Sequence, residues 1–235
     1  LGQLGDGRMM NSPRPVRVTG IAGAMQVSAG PGFTCALLST GRVMCWGKNN
    51  NGNLGDGSTT MRTTPVAAGT ISTATEIAVG GSHACALLAD GTARCWGANG
   101  SGQLGDGSTT QRDRPATVRA LSGATQIATR WNHTCVRTGS GTVLCWGANS
   151  WGQLRGDGST GDANEPTTVP GVTAEEIRTG TNFTCVRLVD RSAECWGSSY
   201  YGQLGNGSTS AILDAIARMP VVGLAKRWTF YIGKD

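Results

Sequence analysis

The chain has 235 residues and a formal net charge of +5, with 38% hydrophobic residues, 15% charged residues and 37 glycines. That length allows a sizeable buried core, and low charge with abundant glycine suits many short strands joined by tight turns. The composition speaks against two partners: no run of 18 apolar residues is present to span a membrane, and the positive charge is scattered, its densest group being Arg112, Arg114 and Arg119 around Asp113, so nucleic acid is not expected to bind.

In chain order, Leu1-Gly2-Gln3-Leu4 opens a pattern that returns as Gly52-Asn53-Leu54, Gly102-Gln103-Leu104, Gly152-Gln153-Leu154 and Gly202-Gln203-Leu204. No signal segment is legible before it, so a processed chain or a segment of a longer one is expected. Between these turns lie four Cys pairs: Cys35 with Cys45, Cys85 with Cys95, Cys135 with Cys145, and Cys185 with Cys195, a period of 50 residues. Each second Cys opens a Cys-Trp-Gly tripeptide. Self-similarity at this period means a solenoid or a propeller. The units run over about 1–51, 52–101, 102–151 and 152–201, with a partial unit 202–235, in one repeat array over 1–235.

The second unit shows the expected strands. Residues 75–79 alternate as strand A, Gly80-Gly81-Ser82 bends, residues 83–88 form strand B, Asp90-Gly91 turns, and residues 92–96 form strand C. Residues 102–105 are expected to begin a short outer strand, D. Four short antiparallel strands per unit make one propeller blade. The B–C turn, with glycine in the left-handed position, sets the two Cys opposite each other. Facing residues of an antiparallel pair are within reach of a disulfide, so four bridges within units are expected, and with them an oxidising compartment, extracellular or periplasmic. Two thiolates per unit do not supply the four ligands of a structural zinc. At the far end Pro220–Leu224 matches Pro15–Ile21, and Trp228, Phe230 and Ile232 alternate as a further strand A, with Gly233 at the place of Gly30. The ends thus carry strands A and D of one blade without its middle, so either a small ring closes through the termini or the open edges pair with another copy.

The order Ile-x-x-Gly-x-x-His-x-Cys-Ala-Leu, Asp-Gly, Cys-Trp-Gly and Gly-Gln-Leu-Gly-Asp-Gly resembles the regulator of chromosome condensation (RCC1) repeat family, in its disulfide-bearing, secreted bacterial form. The resemblance implies an all-β, RCC1-like β-propeller. The family usually has seven blades; this chain has four complete hairpins plus partial terminal strands. Family members include nucleotide exchange factors, a photoreceptor and β-lactamase inhibitors, so the resemblance implies the fold and leaves the function to the site.

Strand parity puts the A–B bends and the loops after Cys-Trp-Gly on one face. Trp131, Trp151, Tyr200 and Tyr201 lie there, with Arg130 and Asn132, and aromatics with arginine are the usual anchors of a binding surface. The first expectation is therefore an extracytoplasmic binding module for a protein, glycan or small-molecule ligand. The alternative is a propeller hydrolase acting on esters or lactones, with His83, His133 and Ser82 as catalytic candidates and calcium as a candidate cofactor held by Asp56, Asp106 and Asp157 at equivalent turns. His83 and His133 share their repeat position with Phe33 and Phe183, which favours a structural role. A third expectation is a slice of a longer propeller that works only in homo-oligomers.

Overall fold

The computed structural model describes residues 2–207, 209 and 219–220. Among them there is no helix, and every sheet is antiparallel. The first sheet runs β1 (Ala24–Ala29), β2 (Phe33–Leu38), β3 (Val43–Gly47) and β4 (Arg62–Ala67), in that spatial order. The second repeats it with β5 (Ala74–Val79), β6 (His83–Leu88), β7 (Ala93–Gly97) and β8 (Arg112–Thr117). The third uses β9 (Ala124–Arg130), β10 (His133–Thr138), β11 (Thr142–Gly147) and the first part of β12 (Ala163–Gly180). The second part of β12 pairs with β13 (Phe183–Leu188), which continues to β14 (Ala193–Gly197) and β15 (Met219–Pro220). These are four blades of an incomplete propeller, each beginning midway through a sequence unit.

The central hairpins form as the spacing predicts. Cys35 faces Cys45 in the first blade, Cys85 faces Cys95 in the second, Cys135 faces Cys145 in the third, and Cys185 faces Cys195 in the fourth. In each pair the Cα atoms are 4.1 Å apart and the disulfide is closed, so all four bridges stay within blades. Gly41, Gly91 and Gly141 turn the chain at positive φ, and Arg191 takes that conformation in the fourth blade. No free cysteine remains among the described residues.

The outer strand differs from expectation. Residues 102–105 form a tight turn, with Gly105 N donating to Gly102 O, and the fourth strand comes later, as β8. Gly102, Gly105 and Gly107 all have positive φ, which an L-residue strand does not adopt. The turn instead plugs the joint between blades. The indole of Trp146 donates to Gln103 O at 3.0 Å, as Trp46 does to Gln3 O, Trp96 to Asn53 O and Trp196 to Gln153 O. Leu54, Leu104, Leu154 and Leu204 are fully buried beside them.

The core lies between blades. The disulfide-bearing side of the first blade (Phe33, Cys35, Leu37, Val43) packs on Ile77, Val79, Ala84 and Trp96 of the second. The same joint recurs between the second and third blades and between the third and fourth, where Cys135 and Cys145 pack on Ile177, Val186 and Trp196. Burying one such side chain contributes about 1.5–3 kcal/mol, so each joint rests chiefly on its apolar residues. Cys185 and Cys195 on the fourth blade gather with Leu204 and Phe183 instead. The innermost strands leave a free backbone edge, and side chains of the preceding blade cap it. Gln26 Nε2 donates to Ile77 O at 3.0 Å while its Oε1 accepts from Ile77 N at 2.8 Å. Gln126 clasps Ile177 in the same way. The expected closing strand at Trp228, Phe230 and Ile232 lies outside the described residues.

Candidate functional site

The strand register builds one loop face. His133 pairs with Gly147, so the bend holding Trp131 and Asn132 sits where β11 exits, and Ala148 N donates to Asn132 O at 2.9 Å. In the fourth blade Phe183 pairs with Gly197, and Ser198 N donates to Asn182 O at 2.8 Å. Trp131 and Trp151 therefore occupy the same end of the third blade, and Tyr200 and Tyr201 the matching end of the fourth. All four aromatics are exposed, Tyr201 most at 85% and Trp151 least at 38%. Tyr200 and Tyr201 meet edge to face with centroids 4.8 Å apart. Exposed apolar rings gathered at one end mark an interaction surface better than scattered ones.

The aromatic loops are held rigidly. Trp151 N donates to Gln153 Oε1 at 3.0 Å and Tyr201 N to Gln203 Oε1 at 2.7 Å. The same two-residue clasp holds Ser101 through Gln103 and Asn51 through Asn53. One position thus carries Asn, Ser, Trp and Tyr in successive blades on an unchanged backbone. Trp131 sits at φ 49°, a conformation costing a non-glycine residue about 1–2 kcal/mol. Its carbonyl accepts Gly81 N of the preceding blade at 2.8 Å, which helps hold the bend. Beside these loops Arg155 pairs with Asp157 at 3.1 Å. Arg130 ends β9 next to the Trp131 bend, and Gln103 Nε2 donates to Asn132 Oδ1 at 3.5 Å.

The catalytic candidates are not brought together. His83 and His133 are both 0% exposed. His83 Nε2 meets Thr134 Oγ1 at 2.9 Å and His133 Nε2 meets Thr184 Oγ1 at 3.1 Å, each across a joint. Those hydroxyls donate to Gln103 O and Gln153 O, completing a chain that locks blade to blade. Burial, with the neighbouring His133 adding to it, pushes His83 down to about 3, and burial pushes His133 down to about 4. Both rings are neutral at ordinary pH and out of reach of a substrate. No hydrogen bond joins Ser82 to either of them; Ser82 O accepts Ala98 N.

The calcium candidates are likewise separate. Asp56 accepts from Asn49, from the amide and hydroxyl of Ser58, and pairs with Arg62 at 2.9 Å. Asp106 repeats this with Asn99, Ser108 and Arg112. Burial raises both carboxyls, but the serine and arginine bonds outweigh it and hold them below the usual range. Asp157 closes its turn through Ser159 and pairs with Arg155. Among the described residues no group of three or more His, Cys, Asp or Glu gathers as a metal ion requires.

Sequence reasoning missed the buried asparagines. Asn49, Asn99 and Asn149 sit in the loops after Cys-Trp-Gly that strand parity assigns to the binding face, yet each is essentially unexposed. Asn99 Nδ2 donates to Ser108 O and Thr110 O, and its Oδ1 accepts Leu104 N. Their recurrence at a 50-residue spacing was the available signal.

Family models of the regulator of chromosome condensation (RCC1) repeat match residues 26–53, 74–103 and 124–153, and in a second form 40–87 and 90–137. No curated protein matches the chain in sequence. Among solved structures, human WBSCR16 is 23% identical with a TM-score of 0.84, over 94% of this chain and 60% of that one. Prp20p from Saccharomyces cerevisiae, described with binding properties to Gsp1p and histones, is 19% identical with a TM-score of 0.77, over 89% of this chain and 53% of that one. Yeast RCC1 (Prp20) bound to Kap60 is 18% identical with a TM-score of 0.74, over 85% of this chain and 49% of that one. The chain thus spans about half to three fifths of the length of these structures, and the likeness is one of fold.

Proposed function

Since the chain belongs to the regulator of chromosome condensation (RCC1) repeat family, we propose that it is a binding module of an oxidising, extracellular or periplasmic compartment, holding a protein partner on the aromatic end of its third and fourth blades. The observation that carries this reading is the gathering of Trp131, Trp151, Tyr200 and Tyr201 as exposed rings on loops clasped at their backbones. Rigid aromatics lose little entropy on contact and bury large area, which is why they dominate binding hot spots. A yeast protein of similar fold, Prp20, is described bound to Kap60 and with binding properties to Gsp1p and histones, which is consistent with a protein partner. Four disulfides support the oxidising compartment.

The test compares the native chain with a variant carrying both Trp151→Ala and Tyr201→Ala on an array of extracellular proteins and on a glycan array. Proteins bound by the native chain and lost by the variant, with melting temperature unchanged, support the reading. Binding confined to glycans would replace the partner class, and protein binding indifferent to the substitutions would move the site off this face.

A further inference from the structure

Two clefts of one design carry opposite chemistry. The linker from each outer strand to the next blade crosses its joint at the end of the B–C turns, opposite the aromatic loops: Ala74 N donates to Gly41 O, and Ala124 N to Gly91 O. Each linker lines a cleft, of about 310 Å3 between the first and second blades and about 460 Å3 between the second and third. Their linings correspond at the 50-residue period, Ile71 with Leu121, Ser72 with Ser122, Leu88 with Thr138 and Arg94 with Leu144.

The cleft of the second and third blades is satisfied by its own residues. Thr138 Oγ1 meets Ser140 Oγ at 2.8 Å, and Ser140 Oγ meets Thr142 Oγ1 at 3.2 Å. Leu144 gives it an apolar wall. Beside it Arg119 pairs with Glu165 at 2.7 Å, and Asn164 Nδ2 donates to Gly107 O at 3.1 Å.

The cleft of the first and second blades has unspent donors. Arg94 stands at the place of Leu144 and Arg114 at that of Asn164, and both line the cleft. Gly69 and Pro115 hold the places of Arg119 and Glu165, so no carboxylate lines it. Among the described residues neither guanidinium closes an ion pair, whereas Arg112, two residues from Arg114, pairs with Asp106 at 2.8 Å. The charge of Arg94 reaches Asp90, but that carboxylate is taken by the amide and hydroxyl of Thr92 at 2.9 and 2.7 Å. Arg114 lies over the turn at Gly57, where a side chain would collide with its guanidinium. The exposed hydroxyls of Thr70, Ser72 and Thr73 complete the rim. A cleft lined by one sign of charge on an apolar floor concentrates ions of the other sign.

We propose that this cleft is a seat for a phosphate monoester carried on a small ring such as a sugar. The arginine fork matches phosphate oxygens in pairs, and two arginines together match its charge. A phosphate monoester carries about −1.5 to −2 at pH 7, whereas a carboxylate or a sulfate ester would leave one arginine unmatched. The linker hydroxyls meet the ring's own hydroxyls, and half-buried Ile71, Leu88 and Pro115 meet its C–H face. A cleft of about 310 Å3 is at the small end of ligand pockets and takes one ring with its ester group. The seat is at the far end of the blades from Trp131, Trp151, Tyr200 and Tyr201, so it stands or falls apart from the protein-binding reading.

Calorimetric titration of the full chain at low salt tests it, with galactose 6-phosphate, galactose 6-sulfate, inorganic phosphate and galactose as probes. At pH 7.5 the sugar phosphate should bind with a Kd of about 1 mM or below, and each other probe at least about tenfold more weakly. Binding of the sugar phosphate should weaken as pH falls through about 6, where the ester takes up a proton. A variant with Arg94→Leu and Arg114→Asn copies the neighbouring cleft, and it should keep its melting temperature and lose at least about tenfold in affinity. In the native chain the ligand should shift the amide resonances of residues 69–73 and 113–114, a reading that needs no variant to fold. Shifts at Trp131 or Trp151 instead, unchanged binding by the folded variant, or no binding at all would overturn the proposal. Equal binding of inorganic phosphate would assign the seat to the free ion and overturn the ring, and equal binding of the sulfate ester would overturn the matching of charge.

Discussion

Glu76→Gln should strengthen the joint between the second and third blades. Gln26 and Gln126 each clasp both backbone groups of the isoleucine ahead of them, at 2.8–3.0 Å and 3.0–3.2 Å. Glu76 occupies the same repeat position and accepts Ile127 N at 2.9 Å, but an ionised carboxylate has no hydrogen for Ile127 O. Burial raises its pKa above the ordinary 4.5, against the opposing pull of the Ile127 amide, Arg178 and Arg137. A raised folded-state value means that the protonated form stabilises the fold: the contribution is whole below pH 4.5 and is lost as pH rises through the folded value. Glutamine supplies that hydrogen at every pH. One additional net hydrogen bond is worth about 0.5–1.5 kcal/mol, and losing the attraction to the two arginines removes part of it. A gain of about 1 kcal/mol, or about 2–4 °C in melting temperature for a chain of this size, is expected at pH 7.5. Near pH 4 the gain should vanish, because Glu76 then carries its own proton. Thermal melts of both proteins at the two pH values check this. Equal or lower stability of the variant at pH 7.5, or a gain of the same size at pH 4, would refute the clasp as the cause.

Two further outcomes follow from the joints. Because His83 and His133 are held neutral, with values pushed down to about 3 and about 4, the unfolded chain gains protons that the folded one refuses. Stability should fall as pH drops from about 6.5 toward 4, by up to about 1.4 kcal/mol per pH unit for each histidine; His83→Phe with Thr134→Ala, copying the Phe33 and Ala84 pair, should remove about half of that slope in denaturant titrations, and an unchanged slope would place the acid sensitivity elsewhere. Asn99→Ala strips partners from Leu104 N, Ser108 O and Thr110 O at a buried site, so a loss above about 2 kcal/mol is expected by urea unfolding, and a loss below about 0.5 kcal/mol would show that water replaces the amide.

Much of the blade was legible because its contacts are local. Cys85 and Cys95 lie ten residues apart across one turn, so spacing and the Gly91 turn together set the hairpin, its register and its disulfide. The same holds for Cys135 with Cys145 and for Cys185 with Cys195, the last pair even without a glycine at its turn. Parity along those strands also placed Trp131 and Trp151 at one end, since alternate connections of an antiparallel sheet must return to the same side. The outer strand was misplaced because Gly-Gln-Leu recurs as faithfully as a strand would, and recurrence does not distinguish a strand from a turn. What makes residues 102–105 a turn is their place in the joint, where Gln103 O meets Trp146 from 43 residues away.

The chain's own period determined the repeat, the all-β blade, the four bridges and the face on which the aromatics stand, because each follows from residues close in sequence. Only the tertiary structure decided what the histidines, the asparagines and Gln26, Glu76 and Gln126 do. Their partners lie in the next blade or across a folded loop, at distances such as the 51 residues between His83 and Thr134, and a side chain's role there depends on which neighbour's backbone or hydroxyl it meets. The same holds for Val27: as a sequence position it equals Ile77, and only the packing of one blade on another shows that one is core and the other is bare.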